Sequence, residues 1–194
     1  MNNRYLISLL VILVACTFSP TVSSSTAQTQ AVKEMPKDRA TIILNEWTRV
    51  RLGVKEYIEA MPEDAIGFKP TPEVRSFAEQ MLHLAGGNYM FASIVAGKEN
   101  PWDITKGKDP VNAAEFKQTK AALLKFVMDS FDYAIEAVKS FNSAQLDEMV
   151  QFFSTKMPRH MLLAKGIEHA AHHRGQTTIY LRLKGITPPS ERLF

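Results

Sequence analysis

Cysteine is nearly absent from this 194-residue chain, with Cys16 its only example. A disulfide within the chain is therefore excluded. So is a thiolate ligand from the body of the fold, and any metal site there must be built from nitrogen and oxygen. An excess of one charge is also missing. The net charge is +3, and Lys and Arg are interleaved with Asp and Glu rather than gathered on a stripe, so no nucleic-acid partner is expected. Several catalytic motifs are lacking too: there is no glycine-rich phosphate loop and no serine in a nucleophile-elbow context. Ala170 follows His169 where a His-Glu-x-x-His zinc motif needs glutamate. No internal repeat or β-rich stretch occurs. What remains is ordinary in bulk, 45% hydrophobic and 22% charged, which disfavours disorder and fits one domain with one core.

The first residues are of another composition. Arg4 precedes the apolar run Tyr5 to Ala15, and a polar Ser-Thr-Gln tract follows from Ser23 to Gln30. Such a run is short for a hydrocarbon core of about 30 Å, so it reads as a secretory leader over residues 1–27 rather than a permanent anchor. Two processing routes fit. Ser25-Thr26-Ala27 resembles a cleavage site before Gln28, whereas Leu13-Val14-Ala15-Cys16 resembles a lipobox in which Cys16 becomes the lipidated first residue. Either route predicts export, to the periplasm or another extracytoplasmic space, with membrane attachment only if Cys16 is lipidated. Residues 28–37 then form a polar linker, and the folded domain is expected over 38–190.

Within that domain the apolar residues recur at three- and four-residue steps. Asp38 is placed to cap a first helix running to about Ala60, with Ile42, Ile43, Trp47, Val50, Val54, Tyr57 and Ile58 on its buried face. The segment Phe68-Lys69-Pro70-Thr71-Pro72 breaks the pattern. Ser76-Phe77-Ala78-Glu79 then has capping-box spacing and opens a second helix that ends at Gly97. Lys98 to Pro110 reads as a loop, and Trp102 in it as packing over the bundle end. Asn112 with Glu115 predicts the start of a third helix of about 28 residues, roughly 40 Å long. Ser143 to Val150 reads as a short capped helix and Gln151 to Thr155 as a brief irregular piece. Pro158 suits the first turn of a last helix that runs to about Lys184. Four helices around one core is the economical architecture.

The last helix carries the chemistry. A helix turns about 100° per residue, so His169 and His173 share a face, while His172 points about 100° away from His173. Leu162, Leu163, Gly166, Ala170, Thr177 and Leu181 define an inward arc that His169 and His173 border. The remaining candidate is His83, the only histidine outside this helix. On its own helix it reads as a boundary histidine facing solvent, one turn from Glu79, Gly86 and Gly87. Paired glycines there suggest close approach of another helix or room for a ligand. If facing helices donate to one centre, three imidazoles plus water would suit Zn²⁺, Ni²⁺, Cu²⁺ or Fe²⁺. A hydrated surface pair is the rival reading of the same spacing. No general base stands out beside such a centre.

The run His169-Ala-Ala-His172-His173-Arg174-Gly175-Gln176, continuing through Tyr180-Leu181-Arg182, resembles the C-terminal signature of the DinB-like family of metal-binding four-helix bundles. Met61-Pro62-Glu63-Asp64 with Phe68-Lys69-Pro70, and then Ser76 to Leu84, resemble its connection and second helix. The likeness spans residues 38 to 190. It implies an all-α four-helix bundle of the DinB/YfiT type, a divalent metal (Zn, Ni or Fe) on His83, His169 and His173, and a homodimer. By the same resemblance the function is that of a metal-dependent enzyme acting on a small molecule, a hydrolase or a thiol-dependent transferase. The alternative is a non-catalytic metal-binding or stress-response interaction module whose ion ties helices together. The leader departs from the family's usual cytoplasmic setting and puts a cytoplasmic thiol cofactor in question.

Overall fold

The structure is a computed structural model and describes residues 34–193. The leader, the Cys16 lipobox and most of the polar linker lie outside the described residues. Four helices dominate: α1 (Arg39–Ala60), α2 (Phe77–Ala96), α3 (Lys120–Lys139) and α4 (Arg159–Leu183). A two-stranded antiparallel hairpin, β1 (Met149–Phe152) with β2 (Thr155–Pro158), sits between α3 and α4. No helix among the described residues is long and apolar enough to cross a membrane.

Two of the three helix starts anticipated from capping residues, at Asp38 and Ser76, form as expected. Asp38 accepts from the Thr41 amide at the head of α1. At α2 the Ser76 hydroxyl accepts from the Glu79 amide while the Glu79 carboxylate accepts from the Ser76 amide. This exchange satisfies amides that a helix start otherwise leaves open. The connection before it is pinned by backbone bonds from Phe77 to Phe68 and from Ala78 to Ile66.

The third helix is shorter than its sequence suggests. It begins after Thr119, whose hydroxyl accepts from the Ala122 amide, and the anticipated start at Asn112 is replaced by two 3₁₀ turns, Pro110–Asn112 and Ala114–Lys117. The reason is aromatic packing. Phe116 stacks on Phe126 with ring centroids 4.2 Å apart, and Trp102 meets both rings edge-on. In one continuous helix, ten residues would separate Phe116 from Phe126 by about 15 Å. The chain must double back to join them, which carries Asp109 and Pro110 over the side of α2.

The segment from Ser143 to Val150 also differs from expectation. It holds only a 3₁₀ turn at Gln145–Asp147 before entering the hairpin, whose turn is Phe153-Ser154. Val150, Phe152 and Thr155 suit extended backbone. The turn lacks the Asn-Gly or Asp-Gly pair that marks a hairpin in sequence. Phe153 takes the left-handed value instead, with φ of 50°, and the residue is 77% exposed. Such a backbone is costly for a bulky residue.

Packing places α1 and α2 diagonally, each lying between α3 and α4. The core is built from the faces the periodicity marks, with Trp47, Phe77, Phe131, Leu162 and Leu163 fully buried. Trp47 meets Phe131 edge-on and presses on α4 at Gly166, where an added Cβ would lie 2.8 Å from the indole. This contact sets how close α1 comes to α4 just below the histidines. Because α2 and α4 are neighbours, the two histidine-bearing helices share a seam.

Candidate metal centre

His83 enters that seam from α2, and His169 and His173 enter from α4. The ring centroids lie 5.3 Å apart for His83 and His169, 4.6 Å for His83 and His173, and 4.5 Å for His169 and His173. Each ring offers a nitrogen, and the three nitrogens lie within 4.8 Å of one another. Nitrogen ligands of one tetrahedral ion at about 2.1 Å stand roughly 3.4 Å apart. Small side-chain rotations therefore suffice to converge on an ion.

Local sequence explains the fit of each ring. His169 lies against α2 at Gly87, where a Cβ would come within 2.6 Å of its Nδ1. Only a glycine lets the imidazole into the seam, which accounts for one of the paired glycines. Gly86 lies beside Pro110 instead. Phe91 packs edge-on against His169 from one turn further along α2. His173 is 6% exposed, and its Nδ1–H donates to the amide oxygen of Gln80 at 3.0 Å. That bond directs the lone pair to Nε2 and holds the ring in place, the service that an outer partner performs for a metal-binding imidazole.

The electrostatics keep all three rings neutral at ordinary pH. Burial is the leading cause in each case. It pushes His169 down to about 4, aided by the charges of His83, His172 and Arg75. His173 falls to about 3 through burial and then its imidazole neighbours. His83 is lowered by burial and by Arg75, against an opposing pull from Asp109. Neutral imidazole is the form that binds a cation. His169 Nδ1 is moreover buried without a hydrogen-bond partner, and such an orphan carries a desolvation cost unless something accepts its lone pair or its proton. The donor set fits a divalent transition ion.

His172 stands outside the group. It is exposed, and its Nε2 lies 2.8 Å from Gln176 Nε2 on the flank of α4. Neither nearby glutamate is free to serve as a base. Glu79 is held by the Ser76 amide and by Lys69, while Glu168 pairs with Lys165 on the surface. Arg174 lies 4.0 Å from Glu191 of the C-terminal tail and over the Tyr57 ring, so it ties α4 to its surroundings rather than to the histidines.

His83 and His169 also form part of the wall of a cavity of about 470 Å³. The 3₁₀ segment before α3 and the hairpin complete that wall through Trp102, Pro110, Phe152 and Phe153. This size lies within the range of small-molecule sites. Trp102 thus packs on the bundle, as its sequence suggests, and lines the cavity as well. Gln80, Arg75 and the hairpin aromatics escaped the sequence reading. Gln80 could have been found, since it lies three residues before His83 and so shares its helix face.

A helical bundle with a three-imidazole cluster between two of its helices is the class that fold and site define. Residues 35–192 match the DinB family, and the chain belongs to it. It is 36% identical over 70 residues to the uncharacterized protein YrdA of Bacillus subtilis, a match covering 34% of this chain and 42% of that protein. To YjoA of the same organism it is 24% identical over 149 residues, covering 75% of this chain and 90% of that protein. The fold resembles the crystal structure of a DinB-like protein from Bacillus cereus with a TM-score of 0.65 at 19% identity, covering 78% of this chain and 97% of that one. That of YjoA gives 0.59 at 22% identity, with 77% and 95% covered.

Proposed function

We propose that this chain binds a divalent transition metal through His83, His169 and His173, and that it works as a metal-dependent enzyme, of hydrolase or thiol-dependent transferase type, on a small molecule taken into the adjoining cavity. The observation that carries this reading is the convergence of three imidazoles, each offering a ring nitrogen, with two of them, His83 and His169, on the wall of that cavity. Among the described residues no carboxylate or thiol joins the three. A donor set of three protein ligands leaves a coordination position for water or substrate, the pattern of catalytic rather than purely structural sites.

A bound ion would supply Lewis acidity and would lower the pKa of a water or thiol brought to it. The chain's own residues do the rest. Gln80 keeps the His173 proton on Nδ1, Phe91 packs on His169, and Phe152 with Phe153 lends the cavity an apolar wall at the hairpin side. Glu79 and Glu168 are both engaged, which leaves Asp109, on the cavity wall with His83, substrate and solvent as the groups open to proton transfer.

Metal analysis of the protein purified without chelator tests the ligand assignment. About one ion per chain is expected, falling to background when His83, His169 and His173 are all replaced by alanine. Parent protein with no specifically bound metal would sink the assignment. The Co²⁺-loaded protein then tests for catalysis: a spectrum that shifts with added thiols or anions indicates an open position, whereas an inert four-ligand spectrum would make the ion a tie between α2 and α4. The apolar run behind Arg4 supports export of this protein, and mass analysis of the mature N-terminus distinguishes Gln28 from a lipidated Cys16.

A further inference from the structure

The cavity beside the histidines carries a cation that the metal assignment does not use. Arg75 lies on its wall together with His83 and His169. It is exposed, and no carboxylate of the described residues lies within 4.0 Å of its guanidinium. Its place in the chain is nevertheless fixed. It directly precedes the Ser76 cap of α2, and its carbonyl accepts a 2.7 Å hydrogen bond from the Tyr180 hydroxyl of α4. The backbone of Arg75 is thus held where both histidine-bearing helices are joined, with its side chain on the cavity wall.

The rest of the wall sharpens the contrast. Met90, Ile94, Trp102, Ile104 and Phe152 make much of it apolar. The two wall carboxylates have partners of their own: Asp103 accepts from Thr105 and lies 3.9 Å from Lys106, and Asp109 accepts from the Val111 amide. Lys98 is a second wall cation with no carboxylate of the described residues within 4.0 Å. Arg75 shares the cavity wall with His83 and His169, so its positive charge faces the same space as their rings. Three neutral donors cancel none of a divalent ion's charge, so ion and guanidinium together would repel each other across the site. An anion between them removes that cost. Guanidinium is also the side chain that grips a planar or tetrahedral oxyanion through two parallel hydrogen bonds.

We propose that the cavity selects small molecules with an apolar or aromatic body and an oxyanionic group, carboxylate or phosphonate, and that Arg75 is the specificity-determining residue that holds this group beside the three histidines. The proposal deepens the metal-enzyme reading by naming its substrate class. The anchoring by Arg75 needs no metal.

The test titrates phenylacetate, phenylphosphonate and the neutral phenylacetamide into metal-free and Co²⁺-loaded protein. Fluorescence of Trp102, which lies on the cavity wall, reports binding, and calorimetry repeats it independently. The acids should bind roughly ten- to hundredfold tighter than the amide, the worth of one charged hydrogen-bonded pair. Arg75→Gln should remove most of that preference, more than Lys98→Gln does, while keeping its metal content and its melting temperature, because the side chain is exposed. Arg75→Lys should restore part of it, and the ranking of the two acids identifies the favoured oxyanion. Equal binding of acid and amide, an unchanged preference in R75Q, or no saturable binding of any probe at millimolar concentration each overturns the proposal. The two readings fail separately. An Arg75-dependent preference in protein that takes no metal refutes the metal centre alone, and a metal-loaded protein indifferent to charge refutes the anchor alone.

Discussion

Two glycines on facing helices each admit one ring, and the two seams they open serve different ends. At Gly166 the α1–α4 seam receives Trp47, which is fully buried beside Phe131. At Gly87 the α2–α4 seam receives His169. Both rings keep a buried nitrogen without a partner, Trp47 Nε1 and His169 Nδ1. The likeness ends with their chemistry. An indole nitrogen is only ever a donor, whereas an imidazole presents a lone pair on one of its nitrogens and can hold a cation. The same packing device thus makes core in one seam and a candidate site in the other, three residues apart on α4.

Substitutions in the two seams should separate stability from metal binding. Trp47→Ala should have the largest effect, a loss of about 3–5 kcal/mol in chemical unfolding, while the fraction that stays folded retains its metal stoichiometry. Gly87→Ala should do the reverse. A Cβ there displaces the His169 ring, so metal affinity measured by chelator competition should fall by at least the roughly 10- to 100-fold that loss of an outer partner costs, with little change in metal-free stability. If G87A binds metal as the parent does, the contrast between the seams is broken. Gln80→Leu removes the acceptor at His173 and should weaken metal binding by about 10- to 100-fold without moving the helices.

Acid should widen the difference further. His169 and His173 are held below the ordinary histidine value in the folded chain, down to about 4 and about 3. Below pH ~6.5 the unfolded chain therefore binds protons that the folded chain refuses, and stability of the metal-free protein should fall as pH drops from about 7 towards 4. Replacing both residues with alanine should flatten that part of the pH profile; an unchanged slope would show that the acid sensitivity arises elsewhere. The smallest effect is expected at the hairpin. Phe153→Gly relieves a left-handed backbone that disfavours a bulky residue and should raise stability by about 1 kcal/mol or less, measured as a shift in thermal midpoint.

Much of this contrast was legible before the structure. The i,i+4 spacing puts His169 and His173 on one face, the apolar residues of α4 mark its inward arc, and the capping box at Ser76 locates α2. Each of these depends on local geometry that a helix imposes wherever it occurs. The partnership of His83 is not local: its own helix makes it a boundary residue, and it enters as the one histidine outside the last helix, a candidate that the family resemblance then supports. The third helix start was misplaced at Asn112 because a cap with a glutamate three residues on is a sound local signal that the stacking of Phe116 on Phe126 overrides. The hairpin hid behind a Phe-Ser turn with no glycine. Arg75 gave no signal at all, because an arginine without a partner becomes visible only when the surrounding wall is known.

The distribution of the three imidazoles over α2 and α4 also bears on how the protein is made. During synthesis His83 emerges long before the hairpin and α4, so the nascent chain carries a single imidazole, a poor ligand by itself. Joining α2 to α4 closes one of the longest loops in the fold, and such closures come late. A chain cut short before His169 would therefore leave the ribosome unable to capture an ion, and loading with metal should mark the completion of folding rather than guide its beginning.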